Sequence, residues 1–115
     1  MAESRLAKLR KIALALPETH EEITWEDHPT FRVRKKIFVI AAADGLSITM
    51  KADPDERPAL LANEERFYLP PYVGSKGWIG MHLTTGVDWH EVAELVTTSY
   101  CMIAPKTLAK SVTAT

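Results

Sequence analysis

Four histidines, one cysteine and an acidic run are the residues of this chain whose types could do chemistry. His20 and His28 stand eight residues apart, and so do His82 and His90. Neither spacing gives the i, i+4 helical pair of a zinc site, and no cysteine cluster accompanies them. No metal and no other cofactor is expected. Glu18, Glu21, Glu22, Glu26 and Asp27 surround His20. They could gather hard cations weakly, but a solvated strand edge that resists sheet-to-sheet pairing is the favoured reading. Cys101 follows a predicted helix, and burial there would raise its pKa and leave the thiol inert. No serine has a G-x-S-x-G setting. Gly74-Ser75-Lys76-Gly77 precedes a predicted strand and lacks the helix N-terminus that makes phosphate loops work. It reads as a turn. The expectation is a protein without an active site of its own.

Two basic clusters are better candidates for a binding role. Arg5, Lys8, Arg10 and Lys11 lie within seven residues. On a helix, Lys8, Arg10 and Lys11 point broadly away from its apolar stripe. Arg32, Arg34, Lys35 and Lys36 sit on a predicted hairpin, with Arg32 and Arg34 on one strand face. Such a turn can reach phosphates like a wing, and Lys76 and Lys106 are single additions. The candidate nucleic-acid contacts are therefore Arg32, Arg34, Lys35, Lys36, Lys8, Lys11 and Lys76. With three to five phosphate contacts, binding to duplex DNA would be weak and would fall with salt. The alternative is a non-catalytic module for a protein partner or small ligand, with an apolar cleft near Tyr72, Trp78 and His82. Trp89, Trp78 and Trp25 are each expected in the core.

The elements that must position these residues follow from periodicity. Leu6, Leu9, Ile12, Ala13 and Leu16 predict a helix over Glu3 to Leu16, with Ser4 as its N-cap and Pro17 as its stop. Two short strands are expected around Glu22–Trp25 and Thr30–Val33, joined by an Asp27-His28-Pro29 turn. Lys36 to Ala42 is the strongest strand signal. Asp44-Gly45 then turns the chain into Leu46, Ile48 and Met50, which alternate with polar residues. Asp53-Pro54-Asp55-Glu56 resembles a helix start, and Pro58 argues for a start nearer Arg57. Phe67–Leu69 and Trp78–Leu83 are further strands. Asp88 to Tyr100 is a helix with an Asp-x-x-Glu capping box. Its expected buried face is Trp89, Val92, Ala93, Val96 and Tyr100. A short helix runs from Lys106 to Ser111. Strands joined by short turns imply an α+β class, an antiparallel sheet with helices packed on one side.

Composition bounds the rest. The 115 residues fit one domain, 1–115, with a core over about 5–110. Fourteen Lys+Arg against fifteen Asp+Glu give a net charge of -1, which excludes a broadly basic coat for nucleic acid. With 46% hydrophobic residues, a disordered acidic chain is also excluded. No apolar run approaches the roughly 20 residues of a membrane span. A single cysteine suits a reducing cytoplasm.

The ordered pieces Leu14-Ala15-Leu16-Pro17-Glu18, Phe31-Arg32-Val33, Lys36-Ile37-Phe38, Glu65-Arg66-Phe67, Pro70-Pro71-Tyr72-Val73-Gly74, Lys76-Gly77-Trp78-Ile79-Gly80, Asp88-Trp89-His90-Glu91-Val92 and Ala104-Pro105-Lys106 resemble the MmcQ/YjbR family. The resemblance implies a CyaY-like α+β fold and DNA binding through a double wing, with no established reaction. The Thr84-Thr85-Gly86 loop lacks the basic residue that relatives often carry at this hairpin.

Overall fold

The computed structural model describes residues 4–25 and 27–113. The elements are α1 (Arg5–Leu14), β1 (Thr19–Thr24), β2 (His28–Val33), β3 (Lys36–Ala41), β4 (Ser47–Lys51), α2 (Arg57–Ala62), β5 (Phe67–Tyr68), β6 (Trp78–His82), α3 (Trp89–Ile103) and α4 (Lys106–Thr113). The strands form one antiparallel sheet in the order β1-β2-β3-β4-β6-β5. The α+β architecture expected from the sequence is the one observed. Among the described residues no helix is long and apolar enough to cross a membrane.

Residues directly opposite in antiparallel strands share a face, and neighbouring rows alternate. One row runs Glu21, Phe31, Val39, Met50 and Ile79 across five strands. A second runs Ala41, Ile48, Met81 and Phe67. Apart from Glu21 at the edge, these side chains are buried, and they join Leu9 and Ala13 of α1 and Val92, Leu95 and Val96 of α3 in the core. The helices therefore cover one face. Between those rows lies the opposite, outer row: Glu22, Thr30, Ile40, Thr49, Gly80 and Tyr68.

A β-bulge in β3 sets this registration. Arg32 pairs with Ile37 but Phe31 pairs with Val39, so Phe38 is the extra residue. Phe38 and Val39 are both fully buried, and Phe38 meets the Tyr100 ring edge-on at 5.4 Å. The bulge interrupts the β3–β4 ladder, which stops at Val39 and Met50. Ser99 of α3 fills the gap. Its Oγ accepts from the Lys51 N–H at 3.0 Å and donates to the Phe38 carbonyl at 2.7 Å. Tyr100 next to it donates its hydroxyl to the Pro17 carbonyl at 2.8 Å, tying α3 to the end of the first helical segment. Burial pushes the Tyr100 phenol above its ordinary pKa.

Local signals hold at the caps. Ser4 Oγ accepts from Ala7 N at 3.0 Å, and Asp88 accepts from His90 N and Glu91 N. Glu91 departs from the capping box, because its carboxylate is bound by Arg66. α2 begins at Arg57, where Pro58 falls in the first turn and needs no N–H partner. The β1–β2 turn falls earlier than expected, so that His28 and Pro29 belong to β2. Pro29 faces Ile23 on β1, and the β2–β3 ladder begins only at Thr30, so its missing N–H breaks no bond there. Glu3, the expected start of the first helix, lies outside the described residues.

Replacing Ser99 by Ala leaves a buried N–H and a buried carbonyl unpaired. A loss of about 2 kcal/mol in unfolding free energy is expected by urea denaturation. Unchanged stability would show that the hydroxyl does not carry the interrupted ladder.

Candidate ligand cleft and basic hairpin

The outer face is partly roofed by the chain itself. Gly80 makes this possible: a Cβ there would lie 2.1 Å from Tyr68 Cζ, so the Tyr68 ring occupies the space above the glycine. Tyr68 also stacks against His82, with centroids 4.8 Å apart. Beyond Tyr68 the chain enters Leu69-Pro70-Pro71-Tyr72-Val73. Gly74 N donates to Pro70 O at 3.1 Å and Val73 N to Pro71 O at 2.7 Å. Arg57 fastens the end of this segment from α2, donating to the Gly74 carbonyl at 2.5 Å and the Trp78 carbonyl at 3.4 Å.

A cleft of about 570 Å³ remains on this face. Ile40 and Thr49 form its floor. Trp25 and His28 stand on one side, and Pro70, Pro71, Tyr72 and Val73 on the other. Among the described residues no Asp, Glu, Lys or Arg lines it. Trp25 is 60% exposed and Tyr72 94% exposed. Both have positive φ, 49° for Trp25 and 66° for Tyr72. That region costs a bulky residue roughly 1–2 kcal/mol. Glu18 and Arg34 also have positive φ, but they hold each other: Arg34 N donates to Glu18 O at 3.2 Å and Arg34 Nε to Glu18 Oε1 at 3.0 Å. Among the described residues the Trp25 side chain makes no hydrogen bond, and the Trp25 carbonyl accepts from Asp27 N at 2.9 Å and from the His28 ring Nδ1 at 3.3 Å. Tyr72 O accepts from Ser75 Oγ at 3.2 Å. Two strained, exposed aromatic residues thus face one cleft.

The sequence-derived cleft of Tyr72, Trp78 and His82 is corrected in part. Trp78 and His82 share the outer face with Gly80, but they stand at opposite ends of β6, about 13 Å apart along the strand. Tyr72 lines the cleft; Trp78 and His82 do not. His82 lies instead in a polar depression with Glu65 and Arg66. Trp25, expected in the core, is on the surface. Its αL turn swings the indole away from the helices, a change no local pattern announces.

The basic hairpin is also different from its sequence reading. Each of the six arginines makes an internal contact. Arg32, only 21% exposed along its side chain, donates to Thr24 Oγ1 at 3.0 Å and Thr30 Oγ1 at 3.3 Å, and lies 3.3 Å from Glu22. Arg34 is paired with Glu18. Arg10 grips Glu21 through two bonds of 2.7 and 3.0 Å. A hydrogen bond from His20 at 2.7 Å, together with the Arg32 charge, holds the Glu22 carboxyl below its usual range. The acidic run of β1 is therefore an edge strand whose carboxylates hold the neighbouring basic side chains. Arg5 donates to the Thr84 carbonyl at 2.7 Å, beside the loop that lacks a basic residue. Lys8 lies 5.5 Å above the Trp89 ring, and Lys11 is exposed in the last turn of α1.

Lys35 and Lys36 remain open at the β2–β3 turn. They share a groove of about 620 Å³ with Lys106, over a surface of Val33, Ile103, Ala104 and Pro105. Lys76 precedes Trp78, which faces Lys51 at the end of β4, so it belongs to the same end of the sheet as the hairpin. Lys8, beside the N-terminus of α3, belongs to the other end. The seven basic residues are not one patch. Cys101 Sγ lies 3.9 Å from the Ala109 carbonyl, and burial pushes its thiol pKa up. Among the described residues no group of three His, Cys, Asp or Glu is gathered where it could hold a metal ion.

Tyr72→Gly relieves the positive φ at a fully surface-directed side chain. Stability is expected to stay level or rise by up to about 1 kcal/mol in thermal or urea melts. A clear loss would make Tyr72 part of the framework.

Comparison with known proteins places the fold. A crystal structure of a Deinococcus radiodurans protein with a DUF419 domain superposes with a TM-score of 0.79 at 20% identity, covering 96% of this chain and 88% of that one. A Pseudomonas syringae protein superposes with a TM-score of 0.64 at 18% identity, covering 81% of this chain and 93% of that one. These likenesses are of fold. Among curated proteins none matches. The YjbR family model matches residues 14–102, from the end of α1 to the last turn of α3, and the chain belongs to the YjbR family.

Proposed function

We propose that this chain is a non-catalytic binding module whose ligand is a small, uncharged, aromatic molecule held in the outer-face cleft. The observation that carries the reading is the pair Trp25 and Tyr72, both exposed and both at positive φ, facing one cleft. Strain kept at exposed bulky residues points to a role outside folding. The volume falls in the range of small-ligand sites, and the lining has the expected character, apolar with a few polar groups. His28 and Thr49 supply those groups. An aromatic guest would gain offset or edge-to-face contacts with the two rings. Among the described residues the lining offers a charged guest no counter-charge.

The test is a thermal-shift screen of neutral aromatic and heteroaromatic compounds, followed by calorimetry on those that stabilise. Trp25→Ala and Tyr72→Ala are each expected to weaken binding by about tenfold, and Trp78→Phe to leave it unchanged. Hits insensitive to both alanine variants would remove the cleft from the account.

A second reading keeps duplex DNA as the partner, in line with the double wing that the family resemblance implies. The open Lys35, Lys36 and Lys76 at one end of the sheet favour it. Its contact set is lysines, because the arginines are held internally. Fluorescence anisotropy at low salt should then give a log–log salt slope of roughly -2 to -3. Lys35→Ala and Lys36→Ala should weaken binding more than Arg34→Ala does. No binding at tens of micromolar protein would end this reading. Both readings suit a cytoplasmic protein, the setting its single thiol favours.

A further inference from the structure

The groove at the hairpin end has a feature that phosphate contacts with DNA do not need. Lys35, Lys36 and Lys106 surround it, but Val33, Ile103, Ala104 and Pro105 form its apolar lining. The lysines come from the β2–β3 turn and from the first residue of α4, so two separate elements converge on it. Arg34, the fourth basic residue there, is neutralised by Glu18. None of the three lysines forms an ion pair among the described residues. Among the described residues no acidic one lines the groove, and α4 carries none in its first turn. Three uncompensated positive charges thus stand around an apolar surface, in a chain whose net charge is -1.

We infer that this groove binds an amphipathic anion: a phosphate or carboxylate head held by Lys35, Lys36 and Lys106, with a short apolar tail lying on Val33, Ile103 and Pro105. Charge complementarity fixes the head. The lysine ammonium groups are mobile point charges on long stems, suited to an anionic head of either kind. The helix-start amides of α4, at the positive end of its dipole, add to the same potential. The apolar lining fixes the tail, since it gains nothing from an inorganic ion and little from a hydrated sugar–phosphate backbone. The volume of about 620 Å³ suits a molecule with a tail of several carbons. This site is independent of the outer-face cleft, with which it shares no lining residue.

The test is calorimetry at low salt with octyl phosphate, octanoate, octanol, inorganic phosphate and a short DNA duplex, each kept below any micellar concentration. Octyl phosphate and octanoate are both expected to bind at least about tenfold more tightly than inorganic phosphate or octanol, because only they engage head and tail together. Lys36→Glu and Lys106→Glu, both at exposed positions, should each remove most of that binding with circular dichroism unchanged. Lys76→Glu and Tyr72→Gly should not. Binding of octyl phosphate no tighter than inorganic phosphate would overturn the assignment. So would binding insensitive to Lys36→Glu and Lys106→Glu. Tight binding of the duplex, lost in those same variants while the octyl compounds fail to bind, would overturn it in favour of nucleic acid.

Discussion

A single buried hydroxyl carries the joining of the two middle strands past the point where their own ladder stops. Ser99 accepts from Lys51 N–H and donates to the Phe38 carbonyl, across a ladder that the β3 bulge has interrupted. The bulge has a consequence for both faces. Strict alternation from Ile37 would send Val39 outward and Ile40 toward the helices. With Phe38 as the extra residue, Phe38 and Val39 both enter the core, and Ile40 becomes floor for the outer cleft. The apolar run Ile37-Phe38-Val39-Ile40 can serve either face, so the defect costs no hydrophobic burial. What it costs is a backbone pairing, which α3 restores with one side chain. The cleft therefore depends on a helix packed against the opposite face of the sheet.

Charge is organised by the same sheet. The first basic cluster and the hairpin cluster flank β1 in space as they do in sequence. Glu21 takes Arg10, Glu22 takes Arg32, and Glu18 takes Arg34. Exposed pairs of this kind contribute little to stability, but they decide which cations are open to a partner. Arginine is well suited to such pairing, because its planar fork matches a carboxylate. Lys35, Lys36 and Lys106 are left over. A near-neutral chain thus shows a small positive surface at the hairpin end without a wide basic face.

Much of the fold was legible because its signals are local. Ser4 and Asp88 read as caps, Asp44-Gly45 as a turn, and the alternation of Ile48 and Met50 as a strand with one wet face. Short turns between the strands imply the antiparallel sheet, and the fold that the family resemblance implies agrees with it. The site was less legible, because it depends on contacts distant in sequence. Arg34 and Glu18 are 16 positions apart, and Ser99 and Phe38 are 61. Nearness along the chain groups Tyr72, Trp78 and His82. A strand rising about 3.3 Å per residue separates the last two, and the aromatic residue that shares the cleft with Tyr72 comes from the β1–β2 turn. Trp25 read as core because tryptophan generally is. Its positive φ is a property of the turn and leaves no trace in composition or period.

The central claim is that the outer sheet face, and not the arginines of the hairpin, forms the principal binding site of this chain. Amide chemical-shift mapping tests it most directly, with ¹⁵N-labelled protein titrated with a neutral aromatic ligand. The account predicts shifts clustered at Trp25, His28, Ile40, Thr49 and Tyr72, together with the Trp25 indole N–H. Arg32, Arg34 and the core amides of α3 should stay still. Shifts confined to the hairpin, or spread across the surface with Trp25 and Tyr72 unmoved, would contradict it.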